Sequence, residues 1–371
     1  MLYLPLLTFT YFSFRPLILL FPSLFFSLDL ILFSKKTGFL LNILKKFNFI
    51  QIIFLLPALG FAQDVSVNPT QVVDAMERLN GISPGERRNH INGLCASGSF
   101  IGSKEVLKYS RSALFSGKKI PVIARFSLAG GNPKSPDAAR SPRGLALEFR
   151  LPGNKFHHFT MLNVPVFGAS TPQTFYDSIL ANLPDANTGK ADPEKIKNFK
   201  LTHPDALSLG KFLAENNPPI SYANSDFFGI HTFKFVNKQN ETTLVRWHFI
   251  PEDGIKRLSN EEMATTPVRF LNQNLMDRVK TSTVSWKMIL TIGELGDEEN
   301  DPTVYWPENR KELNAGVLTI KTATPQTGSA CENINFDPLV MSDGVLPTND
   351  PILLFRSGAY ADSYAKRLTG K

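Results

Sequence analysis

The sequence predicts an α+β fold that is built around one large antiparallel β-sheet. Segments rich in β-branched and aromatic side chains recur through the middle of the chain, and each shows partial alternation of apolar and polar residues. Two of these segments are separated only by the polar residues 238–241, and so short a connection joins antiparallel neighbours. Helical segments precede, interrupt and follow the strands. The strands are numerous enough for the sheet to close on itself.

The predicted elements follow one another in a clear order. A first amphipathic helix begins at Pro69, since proline is favoured at the first helical position, and a second helix begins at Ser103. A helical insertion with Pro and Asn punctuation covers residues 171 to about 215, and a last helix carries Arg356 and Tyr360. The predicted strands are residues 120–128, 144–151, 155–164, 231–237, 242–250, 284–292 and 315–323.

The beginning of the chain differs in composition from the rest. Residues 1–34 are strongly apolar, and a short basic region, an apolar core and small residues follow them up to Ala62. This order is typical of a secretory signal, and we expect cleavage after Ala62. We therefore divide the chain into an upstream hydrophobic extension with a signal peptide, residues 1–62, and one folded core domain, residues 63–371.

Two alternatives stay open for the extension. Translation starts near residues 41–47, or residues 1–34 form a membrane anchor, since their apolar length suffices to span a bilayer. Either alternative places the folded domain outside the cytoplasm, in the periplasm or as a secreted protein. Removal of residues 1–62 lowers the net charge from +7 to +3. We expect no nucleic-acid partner, which usually requires a clustered basic face, and no membrane partner for the mature domain.

The two cysteines, Cys95 and Cys331, leave two possibilities. They pair in an oxidising compartment, or Cys95 is a buried thiol near His90, which it follows by five residues. Two cysteines are too few for a disulfide framework in a domain of this size. A zinc site is not expected, because the sequence has no C-x-x-C pattern.

The last predicted helix carries the most informative pair of residues. Arg356 and Tyr360 lie four positions apart, so they share one helix face with about 5–6 Å between their Cβ atoms. Tyrosine binds ferric haem as a phenolate, and a free phenol has a pKa of about 10, so a neighbouring cation must favour the ionised form. Arg356 is suited to that role, and the carboxylate of Asp350 stands six residues before it. The arrangement predicts a buried iron centre.

Two other segments are suited to the opposite wall of a haem pocket. The first contains His90, and the second places Asn163 two residues before Pro165 in an apolar stretch. Each is weak evidence alone, because a histidine in an apolar run is often structural and Asn-x-Pro is usually a turn. The adjacent His157 and His158 are not expected to bind metal, since neighbouring strand residues point to opposite faces.

In chain order, these segments resemble those of the haem catalase superfamily. The matching patterns are H-x-x-G-x-x-x-x-G-x-F at residues 90–100, R-F-S at 125–127, N-x-P-x-F at 163–167 and R-x-x-x-Y at 356–360. Further matches fall at residues 141–144, 227–237, 246–254, 301–307 and 336–338. The resemblance spans roughly Asn68 to Lys371. It implies an eight-stranded antiparallel β-barrel with surrounding helices and a haem b packed against it.

The resemblance also implies the roles of the residues on the peroxide side. His90 would take a proton from the peroxide and return it to the departing oxygen, because an imidazole has a pKa of about 6.5, near the operating pH. Asn163 would hold the peroxide by amide hydrogen bonds. Ser127 would orient the other ring nitrogen of His90.

On the other side of the haem, the resemblance makes Tyr360 the axial ligand of the iron. Tyrosine is the haem ligand in catalases. Arg356 would keep this ligand ionised. The remaining charged candidates are His231 and Asp350 in a network behind the arginine, and Arg87 and Arg125 as partners of the haem propionates.

Departures from the family pattern narrow the expected activity. The chain stops eleven residues after Tyr360, Ser141 replaces an acidic residue of the peroxide channel, and Gly168 replaces a phenylalanine. These changes resemble the minimal catalase-related peroxidases of bacteria. We expect wider access to the iron, and peroxidase turnover with organic donors above catalase turnover.

Two alternative functions are kept. The chain is a true catalase in reduced form, or it is a non-catalytic protein that binds haem or a small ligand, since one fold hosts unrelated functions. The retained His90, Ser127 and Asn163 argue against the second alternative. The expected partners are peroxide and a small organic reductant, with assembly into a homo-oligomer left open.

Overall fold

The computed structural model describes residues 66–370, which belong to one compact unit. The signal peptide, the start of translation and the predicted boundary at residue 62 lie outside the described residues. Within residues 66–370, the helices are too short or too polar to cross a membrane.

The described residues form ten strands and seven α-helices. The strands are β1 Gly93–Gly102, β2 Lys119–Leu128, β3 Arg143–Leu151, β4 Lys155–Leu162, β5 Phe227–Phe228, β6 Phe233–Val236, β7 Thr242–Pro251, β8 Val284–Ile292, β9 Glu312–Pro325 and β10 Val345–Pro347. The helices are α1 Pro69–Asn80, α2 Pro172–Ala181, α3 Pro193–Thr202, α4 Leu207–Glu215, α5 Asn260–Thr265, α6 Leu271–Thr281 and α7 Pro351–Leu368.

Eight of the strands close into an antiparallel β-barrel. Around the barrel the order is β7, β5, β4, β3, β2, β1, β9 and β8, and pairing of β8 with β7 closes the circle. The short strands β6 and β10 extend the sheet from β7 outside this circle. The predicted fold class and the closed eight-stranded barrel are confirmed.

Aromatic side chains fill the barrel interior. The ring of Phe126 lies 5.7 Å from that of Trp286, and Phe100 meets Phe149 edge to face at 5.3 Å. All four side chains are fully buried. The interior is therefore a packed core rather than a channel, and a ligand site has to lie on the outer face of the barrel.

Two helices cover part of that outer face and pack against each other. Helix α1 begins with a capping box in which Asn68 and Gln71 exchange hydrogen bonds between side chain and backbone. Helix α7 begins at the buried cap Asp350. Lys366 near the end of α7 binds Asp74 on α1 at 2.5 Å, which ties the two helices together.

Some local predictions were wrong. The helix expected from Ser103 is a pair of 3-10 turns, residues 104–108 and 113–115. Ser110 donates to the carbonyl oxygen of Gly344 at 2.8 Å, and Ser112 bonds to Ser342 at 2.7 Å, so tertiary contacts interrupt the helix. Strand β1 was not predicted, since its glycines and serines disfavour a strand in isolation.

Candidate active site

One large cavity lies between the outer face of the barrel and the helices α1, α2, α4 and α7. Its volume is about 330 Å³, and most of its wall is apolar. Alternate residues of three adjacent strands face it, because successive strand residues point to opposite sides of the sheet. They include Arg125 and Ser127 of β2, Gly144 of β3 and Thr160 of β4, and Tyr360 enters from α7.

His90 reaches this cavity from the segment before β1 in an unusual backbone conformation. Its φ is +56°, in the left-handed region that a residue with a Cβ rarely adopts. The side chain of Asn89 accepts hydrogen bonds from the backbone N–H of His90 at 2.8 Å and of Gly130 at 2.7 Å. Arg125 donates to the carbonyl oxygen of His90 at 2.7 Å. These contacts hold the imidazole against the cavity.

The imidazole of His90 packs between Ser127 and the bare backbone of Gly144. His90 Nδ1 lies 3.0 Å from Ser127 Oγ. A Cβ added at Gly144 would lie 2.8 Å from Ser127 Oγ and 3.1 Å from His90 Cε1, so only glycine leaves room for this pair. Burial, followed by the positive charges of Arg125 and Arg356, lowers the pKa of His90 to about 3. The imidazole is therefore neutral and available as a base at neutral pH.

Asn163 takes a different position from the other predicted residues of the peroxide side. It lies just beyond β4 and is buried, but it stands outside the set of described residues that line the cavity. Its side-chain oxygen accepts a hydrogen bond from the backbone N–H of Arg143 at 2.7 Å. Only the amide N–H group of Asn163 is left for a ligand.

A hydrogen-bonded chain runs behind the cavity from α7 into the barrel wall. Arg356 donates from one terminal nitrogen to the hydroxyl oxygens of Tyr360 at 2.8 Å and Thr160 at 2.7 Å. Its other terminal nitrogen lies 2.9 Å from His231 Nε2. His231 Nδ1 lies 2.6 Å from the buried carboxylate of Asp350. Asp350, Arg356 and Tyr360 from the end of the chain are thus brought together with His231.

The donors in this chain determine the protonation of His231. A guanidinium only donates, so His231 Nε2 must accept the hydrogen bond from Arg356. His231 Nδ1 then carries the proton and donates it to Asp350. Burial lowers the pKa of His231 in spite of the opposing effect of Asp350, so the ring is neutral. These hydrogen bonds therefore keep the positively charged guanidinium of Arg356 next to the hydroxyl of Tyr360.

Three guanidinium groups, two on buried residues and one on the partly buried Arg87, form a positive cluster at one end of the cavity. Arg87 donates to the carbonyl oxygens of residues 331, 332 and 334 at 3.0–3.2 Å. Arg125 donates to Gln326 Oε1 at 2.7 Å, and Arg367 donates to the carbonyl oxygen of residue 332 at 2.8 Å. Within residues 66–370 none of the three arginines forms a salt bridge.

This arginine cluster, Arg87, Arg125 and Arg367, fits an anionic ligand. Arg87 Nε and Arg367 Nη2 are buried, and neither has a hydrogen-bond partner among the residues that the structure describes. Burial and the like charges of Arg125 and Arg367 lower the pKa of Arg87 to about 8. An anion would accept hydrogen bonds from the unpaired N–H groups and would offset the repulsion between the positive charges. The residues present therefore fit a haem, since its two carboxylates are anions of the kind that this cluster would pair with.

Sequence reasoning missed several residues of this site. Asn89, Gly144 and Thr160 act through the positions of other groups, and only the folded backbone brings them to the cavity. Arg367 had a usable signal, because it follows Tyr360 by seven residues, and positions two helical turns apart share one face.

Position 168 does not open the cavity as expected. A Cβ added at Gly168 would lie 2.8 Å from Leu209 Cδ2, and Leu209 itself lines the cavity. The leucine side chain on α4 therefore occupies space that a larger residue at 168 would need. At position 141, another departure from the family pattern, the serine hydroxyl donates a hydrogen bond to the carbonyl oxygen of Ala129 at 3.1 Å.

The two cysteines are joined. Cys95 on β1 and Cys331 form a disulfide with their Cα atoms 5.5 Å apart. Of the two alternatives from the sequence, the pairing is the one found, and the free thiol beside His90 is excluded.

Comparisons with known proteins agree with this geometry. The family model "Catalase" matches residues 60–371. A catalase-related peroxidase from Synechococcus elongatus is 54% identical over 311 residues, which cover 84% of this chain and 91% of that protein. A catalase-related peroxidase from Mycolicibacterium paratuberculosis is 29% identical over 302 residues and covers 81% and 95% of the two chains.

Longer relatives match over part of their length. A fungal catalase of known structure superposes with a TM-score of 0.70 at 26% identity, covering 77% of this chain and 60% of that chain. A catalase from Schizosaccharomyces pombe is 28% identical, and the match covers 63% of its length.

Proposed function

The chain belongs to the catalase family, and from this premise we propose that it is a haem-dependent peroxidase with weak catalase activity. It would reduce H₂O₂ and organic hydroperoxides with organic electron donors, and it is thus an oxidoreductase that acts on peroxide. One observation carries the proposal: the His90–Ser127 pair and the Tyr360–Arg356 pair line the same cavity.

The proposed reaction balances as a two-electron reduction. An organic hydroperoxide takes up two electrons and two protons and yields an alcohol and water, and H₂O₂ in the same way yields two waters. The organic donor supplies both electrons and both protons as it is oxidised. Bound haem would supply a ferric iron at which the O–O bond is cleaved. The chain's own residues bind and orient the reactants and move the protons.

His90 is the residue that moves the proton. When Nδ1 donates its hydrogen to Ser127 Oγ, the lone pair of Nε2 is free to take a proton from the peroxide. The low pKa of His90 keeps this lone pair available, and the same proton is then returned to the departing oxygen. The amide N–H group of Asn163 would orient the peroxide.

Tyr360 and the residues behind it would hold the cofactor on the other side. The guanidinium of Arg356 donates to the tyrosine oxygen and therefore favours negative charge there. Neutral His231, fixed by Asp350, prevents the guanidinium from turning away. Arg87, with Arg125 and Arg367 beside it, would bind the two carboxylates of haem b, the form that we propose.

We also propose that the folded domain works outside the cytoplasm, in the periplasm or as a secreted protein. The Cys95–Cys331 disulfide supports this proposal, because disulfides persist mainly in oxidising compartments. A small organic molecule is the proposed reductant. Assembly into a homo-oligomer stays a prediction.

A spectrum and two rate measurements test the proposal. Purified protein with haem supplied during expression should show the spectrum of a high-spin ferric haem bound by phenolate. Donor oxidation by H₂O₂ or cumene hydroperoxide should exceed oxygen evolution from H₂O₂ alone. Oxygen evolution far above the rate of any donor oxidation would show a true catalase instead.

A variant separates the enzyme from a carrier of haem. His90→Ala should retain the haem, since Arg125 bonds only to the backbone carbonyl of His90, which alanine keeps, and should lose about 100-fold or more in the rate of peroxide cleavage. Unchanged peroxide cleavage in this variant would assign the proton transfer to another group or favour a non-catalytic function.

A further inference from the structure

The disulfide lies next to the arginine cluster. It joins Cys95 on the central strand β1 to Cys331, which is 236 residues away in sequence. Both cysteines are buried, and they pack with Phe336 in a small hydrophobic cluster of their own. Strand β1 is hydrogen-bonded to β2 along one edge and to β9 along the other. The disulfide therefore joins Cys331 to a strand that is held on both sides.

The segment that begins at Cys331 carries the acceptors for two of the three guanidinium groups. Residues 331–336 form neither helix nor strand. Arg87 bonds to three carbonyl oxygens of this segment, and Arg367 bonds to one of the same three. Asn335 and Phe336 also line the cavity. The positions of both arginines therefore depend on the position of this irregular segment.

The arginines need such support because they repel one another. The charges of Arg125 and Arg367 oppose the charge on Arg87, and within residues 66–370 no salt bridge compensates the three. Neutral carbonyl oxygens hold them in place until an anion arrives. A segment without its own hydrogen-bond ladder resists that repulsion only if it is anchored elsewhere. The disulfide is its covalent anchor.

We propose that Cys95 and Cys331 are positioning residues for the cofactor, and that the chain retains haem tightly only after the disulfide has formed. This inference rests on the proposed function, since haem carboxylates would be the anions at the cluster. Disulfide formation removes two electrons and two protons from two thiols, and a thiol–disulfide oxidant of an oxidising compartment accepts them. The protein would thus bind haem tightly only after export to the compartment where the disulfide forms.

The test compares rates of haem loss. Ferric protoporphyrin IX bound to the full chain is transferred to excess apomyoglobin, and the transfer is followed by absorbance. The oxidised wild type is compared with the Cys95→Ala/Cys331→Ala variant and with wild type refolded under a phosphine reductant. The reduced wild type keeps nearly the same side-chain volume, so it carries the test even if the variant fails to fold. We expect haem loss at least tenfold faster without the disulfide.

Two further variants show whether the disulfide acts through the arginines. In an Arg87→Lys background, removal of the disulfide should change the rate of haem loss by a clearly smaller factor than in the wild type. Lysine is too short to reach the position of Arg87 Nη2, so only the link through Arg367 then joins the segment to the cluster. Thr322→Val is the matched control, since it removes the Ser97–Thr322 hydrogen bond between β1 and β9 without touching residues 331–336. This control should lose haem at the wild-type rate.

The outcomes separate the proposals. Equal rates of haem loss with and without the disulfide overturn this inference, as does an equally large effect in the Arg87→Lys background. An oxidised wild type that binds no haem at all overturns the proposed function instead.

Discussion

Asp350 performs two structural tasks, and substitutions at this position can separate them. One carboxylate oxygen caps α7 by accepting from the backbone N–H groups of Ile352 at 2.8 Å and Leu353 at 3.1 Å. The other oxygen accepts from His231 Nδ1 at 2.6 Å. Asp350 is 1% exposed, so water cannot replace either interaction.

The expected loss of stability follows from these two tasks. Loss of a helix cap costs about 0.5–2 kcal/mol, and a buried N–H left without an acceptor costs about 1–3 kcal/mol. Asp350→Ala should therefore lower the free energy of unfolding by about 1.5–5 kcal/mol. Asp350→Ser should cost only about 1–3 kcal/mol, because serine retains the cap but does not replace the carboxylate that faces His231.

Urea unfolding of the haem-free protein at constant pH measures these differences. Asp192→Ala is the matched control, since Asp192 caps α3 on the surface and, within residues 66–370, its side chain accepts only from the backbone of Glu194. The Asp192→Ala variant should lower the free energy of unfolding only by the contribution of one helix cap. The reasoning is refuted if Asp350→Ala is no more destabilising than Asp192→Ala, or if Asp350→Ser is as destabilising as Asp350→Ala.

Three further predictions concern the cavity and the core. Gly144→Ala should displace His90 and lower the rate of peroxide cleavage by about 10–100-fold, with haem content unchanged by optical titration; an unchanged rate would contradict the packing argument. Leu209→Ala should raise kcat/KM for cumene hydroperoxide about tenfold relative to H₂O₂, and Gly168→Phe should lower it; equal changes for both substrates would argue against a steric role for Leu209. Burial lowers the pKa of His157 to about 3. Below pH 6.5 the unfolded chain therefore binds a proton at this histidine that the folded protein does not bind. The free energy of unfolding should fall by about 3 kcal/mol between pH 7 and pH 4 for this reason. Urea unfolding across this range should show a shallower pH dependence for His157→Gln, and an unchanged slope would contradict this assignment.

Much of the fold could be predicted because its patterns are local. The strands of the barrel alternate in a way that reports one face buried against aromatic side chains. Strand β1 was missed because Gly93, Gly98 and Gly102 carry no side-chain signal, and its conformation comes from pairing with β2 and β9. The 3-10 turns after Ser103 were missed for a similar reason, since the serines that interrupt the helix bond to residues more than 200 positions away.

Some residues of the candidate site could likewise be predicted from local spacing, and others could not. Tyr360, Arg356 and Arg367 share one helix, and their common face follows from helical spacing alone. His90 needed a resemblance, because a single histidine in an apolar segment indicates no chemistry by itself. The expected opening at Gly168 was not found, because the leucine that fills the space comes from α4, 41 residues further along the chain.

By itself the sequence indicated the α+β fold class, most of the barrel strands and the helix face shared by Arg356 and Tyr360, since these depend on side-chain type and short-range spacing. Tertiary structure alone decided the protonation of His231, the left-handed backbone at His90 and the junction of Cys95 with Cys331. Each of these depends on distances between atoms that the chain separates by tens or hundreds of residues. Electrostatic and hydrogen-bond energies change over a few tenths of an ångström, and sequence spacing does not specify such distances until the chain has folded.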